Sequence, residues 1–359
     1  MKTSKSTTER AWLASSDAEY KALKLQKGTV EPWEDGMRTT GGSGTYEWWY
    51  FDGKLADGST LVIGFYTKLL TNLQAGIQPV IMVNLDYEDG TKVEKRIEYS
   101  ESEWTAHTDQ CNVSIGANYF RGDLEKYEIH FEDDELTLDI QLHRETMSWR
   151  PETGYMMFGE EGDYFAWVVA VPQGEATVSY TYNGQEVNTT GSCYHDHNWG
   201  NKSLAELINH WYWARAEMGP YSVIASEIIA EKAYAYDSLV VFNLSKDGKL
   251  LQDNGLNVKL LRVFPLPEES TGKLVSKEVH FVYEDDQNRY ELKLVIEKTL
   301  LGTYLAEGPM RMLSLLLTGN EAAYMRFTGA ATLRVYENGN LQATYENDAA
   351  VWELMYFGK

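Results

Sequence analysis

Cys193-Tyr194-His195-Asp196-His197-Asn198-Trp199-Gly200-Asn201 sets two imidazoles, a carboxylate and an amide in four consecutive positions, with Tyr194 and Trp199 on either side. Residues of these types can do three things, and the string alone leaves them open. Asp196 with His197 can act as an acid/base pair, with His195 as a further proton carrier. His195 and His197, at i and i+2 on a strand, share a face and could ligate a metal together with His210, Glu47 or Glu227. The spacing is loose and no C-x-x-C pair accompanies it, so no metal is assigned. The cluster can also serve as a buried hydrogen-bond network that closes the end of a barrel.

Two further segments carry chemistry. Along Tyr46-Glu47-Trp48-Trp49-Tyr50-Phe51-Asp52, strand alternation puts Glu47, Trp49 and Phe51 on one face and Tyr46, Trp48 and Tyr50 on the other. If the first face looks inward, Glu47 is a carboxyl set among rings, which suits a proton donor; otherwise it is a surface residue flanked by core rings. In His210-Trp211-Tyr212-Trp213-Ala214-Arg215-Ala216-Glu217, His210, Tyr212, Ala214 and Ala216 share one face. Trp211, Trp213, Arg215 and Glu217 share the other. Small residues beside large rings leave room for a ligand, and equally suit a tapering barrel interior. Tyr221 and Glu227 follow in the next strands as further lining candidates.

The elements that must hold these residues are strands. Beyond Gly41-Gly42-Ser43-Gly44, short alternating runs are separated by Asp57-Gly58, Asp89-Gly90, Asn183-Gly184, Asp247-Gly248 and Asn338-Gly339. Such pairs are strong hairpin signals, so the spacing predicts an all-β antiparallel meander. Ser16 to Tyr20 offers a helix start within a polar N-terminal extension, residues 1–35. Ser203-Leu204-Ala205-Glu206 fits a capping box and predicts a short helix over about 203–209. Met310 to Leu317, behind Pro309, reads equally as a helical lid or a core segment. The chain also repeats. Trp49-Tyr50-Phe51 precedes Trp211-Tyr212-Trp213 by 162 positions (211 − 49), and Ala176-Thr177-Val178 precedes Ala331-Thr332-Leu333 by 155 (331 − 176). Two ordered matches at similar offsets argue for duplication of a unit of roughly 150 residues. The implied halves run over 36–202 and 203–359.

Bulk properties narrow the partners. The net charge of −22 disfavours nucleic acid and anionic membranes. No apolar run is long enough to span a bilayer as a helix, and the opening Met1-Lys2-Thr3-Ser4-Lys5 does not read as a secretory signal. Only Cys111 and Cys193 are present, so a reducing cytoplasm is expected. Neither a P-loop, a G-x-G-x-x-G nor a G-x-S-x-G motif occurs, and no cofactor is expected. Aromatic residues at 13%, including 24 Tyr and 11 Trp, suit a small hydrophobic ligand.

The Glu47-Trp48-Trp49-Tyr50-Phe51 and Tyr194-His195-Asp196-His197-Asn198-Trp199-Gly200 strings resemble the hydroxyneurosporene synthase family, the carotenoid 1,2-hydratase (CrtC-like) and AttH-like group, from about residue 40 onward. The resemblance implies two lipocalin-like β-barrels in tandem. It also implies cofactor-free chemistry on greasy unsaturated substrates in a pocket built from both halves; related fungal members include cyclases acting as Diels–Alderases. The expectation is an acid/base enzyme that hydrates, isomerises or cyclises an isoprenoid- or polyene-like molecule. Asp196 and His197 would be the acid/base pair and Glu47 a second carboxylate. Trp48, Trp49, Tyr50, Tyr194, Trp199, Trp211, Tyr212 and Trp213 would be walls. A lipocalin-type carrier of an apolar ligand is the alternative.

Overall fold

Alternating apolar and polar residues cannot bury both faces of a ribbon at once, so such runs pair edge to edge and turn one face to a core. In this computed structural model, which describes residues 9–304 and 321–357, they do so in two curled antiparallel sheets. Among the described residues helix is confined to short pieces. The hairpin dipeptides act as read. Asn183-Gly184 joins Asp163–Tyr182 to Gln185–Gly200 with φ of 50° and 76°. Positive φ at both central positions is what a two-residue hairpin twisted to match its strands requires.

The chain divides into two units. The first comprises Leu13–Met157 and Asp163–Ser203. In its sheet Tyr46–Leu55 lies between Thr60–Tyr66 and Gln185–Gly200, and the latter pairs onward with Asp163–Tyr182 and then Leu136–Arg144. One face of this sheet packs Trp49, Phe51, Ile63, Phe65, Phe120, Ile140 and Cys193 into a hydrophobic core. The expected extension is partly helical, over Asp17–Leu23, with a Ser16–Glu19 capping box. It is more than a polar tail: its end, Pro32–Asp35, carries buried Glu34 and Asp35. Arg150 fixes that stretch, donating to Glu34 at 2.6 Å and to the carbonyls of Gln26 and Thr29.

The second unit comprises the chain from Leu204 onward with Phe158–Gly162 and the residues up to Trp12. It opens on a short helix, Leu204–Leu207. Ile208–Met218 then lies between Tyr221–Ala230 and Asn340–Tyr356, followed by Ala323–Glu337 and Asn288–Tyr304. The strand order of the first unit thus recurs. Ala176 and Ala331, matched at offset 155, both lie in their cores. The aromatic triplets are out of phase by one residue: Trp49 is buried in its core, whereas Trp211 lies off the core face and Tyr212 takes the inward place. The Met310–Leu317 segment lies outside the described residues. Among the described residues no helix is long and apolar enough to cross a membrane.

Candidate functional site

Strand alternation divides the ionisable string between two faces. Gln185–Gly200 pairs with Tyr46–Leu55 so that His195 faces Phe51, His197 faces Trp49 and Trp199 faces Glu47. All of these belong to the core side. Asp196 pairs with Tyr50, Asn198 with Trp48 and Tyr194 with Asp52, on the reverse side. The expected Asp196–His197 acid/base pair is therefore not assembled: adjacent residues on a strand project from opposite faces.

On the core side the imidazoles meet carboxylates. His197 Nε2 lies 2.8 Å from Glu47 Oε1, and its ring stacks on Trp49 at 4.4 Å. Glu47 is fully buried, the inward alternative, and also accepts from the Arg38 and Thr39 amides and the Thr39 hydroxyl. A carboxylate engaged by four donors is a structural anchor rather than a free proton donor. The loop that supplies those donors is pinned by buried Lys68, whose Nζ donates to the carbonyls of Gly41, Gly42 and Ala75. Gly41 sits there at φ 67°, and a Cβ on it would come within 2.4 Å of Ile77. His195 Nδ1 lies 2.9 Å from the Tyr50 carbonyl and its Nε2 3.1 Å from Asp35 Oδ2, which also accepts from Tyr127 at 2.6 Å. Trp199 leans on His197 at 4.8 Å and donates to the Tyr155 hydroxyl. Asp35, Cys111 and His195 bring an oxygen, a sulfur and a nitrogen within 4.8 Å of one another. Such donors can bind a metal, but the oxygen and nitrogen are already engaged with each other and with Tyr127. We read the group as a hydrogen-bonded network.

The reverse face is different in kind. Asp196 is 8% exposed. Its Oδ2 accepts from Trp167 Nε1 and the Tyr194 hydroxyl, each at 2.8 Å, and its Oδ1 accepts from Asn198 Nδ2 at 2.9 Å. Burial pushes its pKa up to about 7 against the pull of the Tyr194 and Trp167 donors and of His195, with Asp52 adding to the rise. Burial and the neighbouring Asp196 hold the Tyr194 hydroxyl well above its ordinary range, so Tyr194 remains a donor. Aromatic rings pave the same face. Trp48 stacks with Tyr46 at 5.7 Å, Phe165 at 6.2 Å and Tyr66 at 6.3 Å, and Tyr50 meets Tyr194 edge-on. Trp48 and Tyr50 are only half-buried. Next to the site a β-bulge sets three steps, Val168 to Val171, against two, His197 to His195. Such bulges bend a strand and re-aim its side chains.

The remaining candidates lie in the second unit. Tyr212, Tyr221 and Ala214 are in its core, and Trp211 and Trp213 are half-buried on the other side. Glu227 pairs with Arg262 at 2.8 Å and accepts from Ser238. His210 stacks on Tyr356 at 5.0 Å and accepts from Arg262 at 3.3 Å. Burial and that guanidinium hold its pKa down at about 4, so His210 is a neutral acceptor and not an acid at ordinary pH.

The sequence reading missed Trp167, Asp35 and Tyr127 as members of these networks. Trp167 sits in Phe165-Ala166-Trp167-Val168-Val169-Ala170-Val171, which reads as a plain core strand. Asp35 sits in Trp33-Glu34-Asp35-Gly36, which reads as a surface turn. Asn198 was visible in the motif but had no assigned part.

Comparison with known proteins agrees with this fold. The Diels-Alderase-like family profile matches residues 3–259. The quinolone epoxide rearrangement protein penF of Penicillium thymicola is 27% identical over 85 residues, 24% of this chain and 23% of that protein. The chain thus matches about a quarter of the length of that curated relative. An AttH-type protein from Nitrosomonas europaea superposes with a TM-score of 0.59 at 13% identity, covering 92% of this chain and 98% of the other. Kievitone hydratase from Nectria haematococca gives 0.57 at 13% identity, covering 92% and 94%. At such identities the two structures speak to the all-β, AttH-like lipocalin fold alone.

Proposed function

The chain belongs to the Diels-Alderase-like family, and on that premise we propose that it is a cofactor-independent enzyme of the hydratase, isomerase or cyclase type, acting on a hydrophobic small molecule with Asp196 as its proton-transfer group. One observation carries this reading: a buried carboxyl with a pKa of about 7, caged by Trp167, Tyr194 and Asn198 on an aromatic face. An acid of that strength is half protonated near neutrality, where general acid catalysis works best. Its Oδ2 is taken by two donors, so the transferable hydrogen sits on Oδ1. Trp48 and Tyr50 offer ring faces that favour a developing positive charge.

The chemistry of a weak acid narrows the substrate. A carboxyl titrating near 7 is poorly matched to an isolated alkene carbon, because the carbocation formed is a far stronger acid than the donor. It is well matched to an oxygen leaving group, whose basicity rises as the C–O bond breaks. An epoxide or a tertiary or allylic alcohol on an apolar skeleton therefore suits this site better than a bare isoprenoid double bond. Similarity to an epoxide rearrangement protein points the same way. In the epoxide case Asp196 Oδ1–H gives its proton to the epoxide oxygen and the C–O pair moves onto that oxygen. The positive charge then stays on that carbon or is passed on by a migrating group or a neighbouring π bond, and the final cation is neutralised by loss of a proton. In that last step the Asp196 carboxylate recovers the proton, so no oxidant or reductant is consumed. The finer carotenoid 1,2-hydratase reading would require direct protonation of an alkene.

The test is turnover of a prenylated aromatic epoxide and of an acyclic polyene by wild type and D196N. Epoxide conversion lost in D196N, with the fold intact by circular dichroism, is expected. Wild-type rates in D196N would overturn the assignment of the acid. Turnover of the polyene alone would overturn the substrate class.

A further inference from the structure

The core-side network contains a contact that needs an extra proton. His195 Nδ1 faces the Tyr50 carbonyl at 2.9 Å. A carbonyl only accepts, so Nδ1 carries a hydrogen. Its Nε2 faces Asp35 Oδ2 at 3.1 Å. If Nε2 were bare and Asp35 ionised, two acceptors would confront each other in a site where both residues are fully buried. The proton is therefore on one of them. Tyr127 helps decide which: its hydroxyl donates to the same Oδ2 at 2.6 Å, within the short range of O–H···O⁻ bonds. Burial and the adjacent Asp35 hold the Tyr127 hydroxyl well above its ordinary range, so it stays a donor. Asp35 then is the carboxylate, and Nε2 carries the hydrogen.

We propose that His195 is a positioning residue of the Asp196 site: a doubly protonated imidazole, held between Asp35 and the Tyr50 carbonyl, whose charge acts through the shared strand to favour the carboxylate form of Asp196. The two residues are adjacent in sequence and lie on opposite faces of one strand, and Tyr50, whose carbonyl holds Nδ1, is the cross-strand partner of Asp196. A charge so placed cannot touch substrate, yet it sits one residue from the carboxyl on the same strand, where an opposite charge favours the ionised form. The other groups about His195 are His197 on its own strand, Cys111 and Tyr127 on Cys111–Ile115 and Lys126–Glu132, and Asp35 on Pro32–Asp35. Cys111 is pushed well up by burial and remains a neutral thiol. Those about Asp196 are Tyr194 and, on the neighbouring strand, Asp52.

This inference rests on Asp196 being the proton-transfer group, but its test needs no substrate and stands apart from the turnover assay. Nitrogen-15 spectra of the wild-type protein at pH 7 report the two ring nitrogens of His195. Both protonated is the expected result; a bare Nε2 overturns the proposal. Carbon-13 labelling of aspartate carboxyls, with the Asp196 signal assigned by its absence in D196N, then gives the titration midpoint of that residue. In H195Q the midpoint should rise by roughly one unit, since an opposite charge nearby favours the ionised form. The isosteric D35N, which keeps an acceptor for Tyr127, should raise it too by releasing the Nε2 proton, and serves where H195Q does not fold. An unmoved midpoint in a folded variant overturns the positioning role even if His195 is doubly protonated.

Discussion

Trp167 donates its indole N–H to Asp196 Oδ2 at 2.8 Å from the antiparallel neighbour of the strand that carries the carboxyl. The bond joins the two strands on the reverse face of the first unit and leaves Asp196 Oδ1 as the outlet for a proton.

Because that N–H favours the charged carboxylate, W167F should make Asp196 a weaker acid. A hydrogen bond to a charged group contributes roughly 1.5–3 kcal/mol, so the midpoint should rise by about one unit or more. If the protonated form is the active one, the alkaline limb of the pH–rate profile moves to higher pH by the same amount. A profile measured on W167F from pH 5 to 9 checks this, and an unshifted limb would count against Asp196 as the acid.

Asp196 also ties activity to stability. Its folded-state pKa of about 7 lies above the ordinary 3.8, so the folded protein binds more protons than the unfolded chain between those values. The associated stabilisation is complete below pH 4 and is lost as pH rises through 7. Its size is on the order of a few kcal/mol. D196N removes the dependence, so its urea midpoint should match or exceed that of wild type at pH 8 while turnover falls by about 10²–10⁴-fold. Denaturation curves of both proteins at pH 5 and pH 8 decide it.

Glu47 should behave as an anchor. E47Q replaces an acceptor of four donors with an amide that can accept on one atom only, leaving buried donors unmatched. A loss of about 3 kcal/mol or more is expected, read as a lowered urea midpoint. The folded fraction at low temperature should keep turnover within a few-fold of wild type. Loss of turnover with stability unchanged would instead make Glu47 part of the chemistry.

In the second unit His210 should stay neutral through the physiological range. With its folded pKa near 4 against an ordinary 6.5, its stabilising contribution is present above pH 6.5 and is lost as pH falls through 4. That is opposite in sign to Asp196. Proton NMR of the His210 ring should show no titration between pH 8 and 5; a midpoint near 6.5 would mean that burial and Arg262 do not hold it neutral.

How much of this was legible beforehand depends on the range of each interaction. Hairpins were, because Asn183-Gly184 and Asn338-Gly339 have local conformational preferences that need no distant partner. The repeat was legible as a sequence of strands, but not in its phase. Trp49-Tyr50-Phe51 and Trp211-Tyr212-Trp213 are similar in letters, and a one-residue offset reverses which ring enters the core. The ionisable string of Tyr194 to Trp199 was plain as a concentration of functional groups, and alternation alone already placed His195 with His197.

The sequence by itself determined the class of fold, the strand that bears the ionisable groups and the shared face of His195 and His197, because turn preference and period-two alternation are properties of the backbone at each residue. Only the tertiary structure decided what those groups do. Asp35 reaches His195 across 160 positions and Trp167 reaches Asp196 across 29. Burial and hydrogen-bond partnership arise from such long-range packing, and they separate a caged acid at Asp196 from an anchored carboxylate at Glu47 where the residue types are nearly the same.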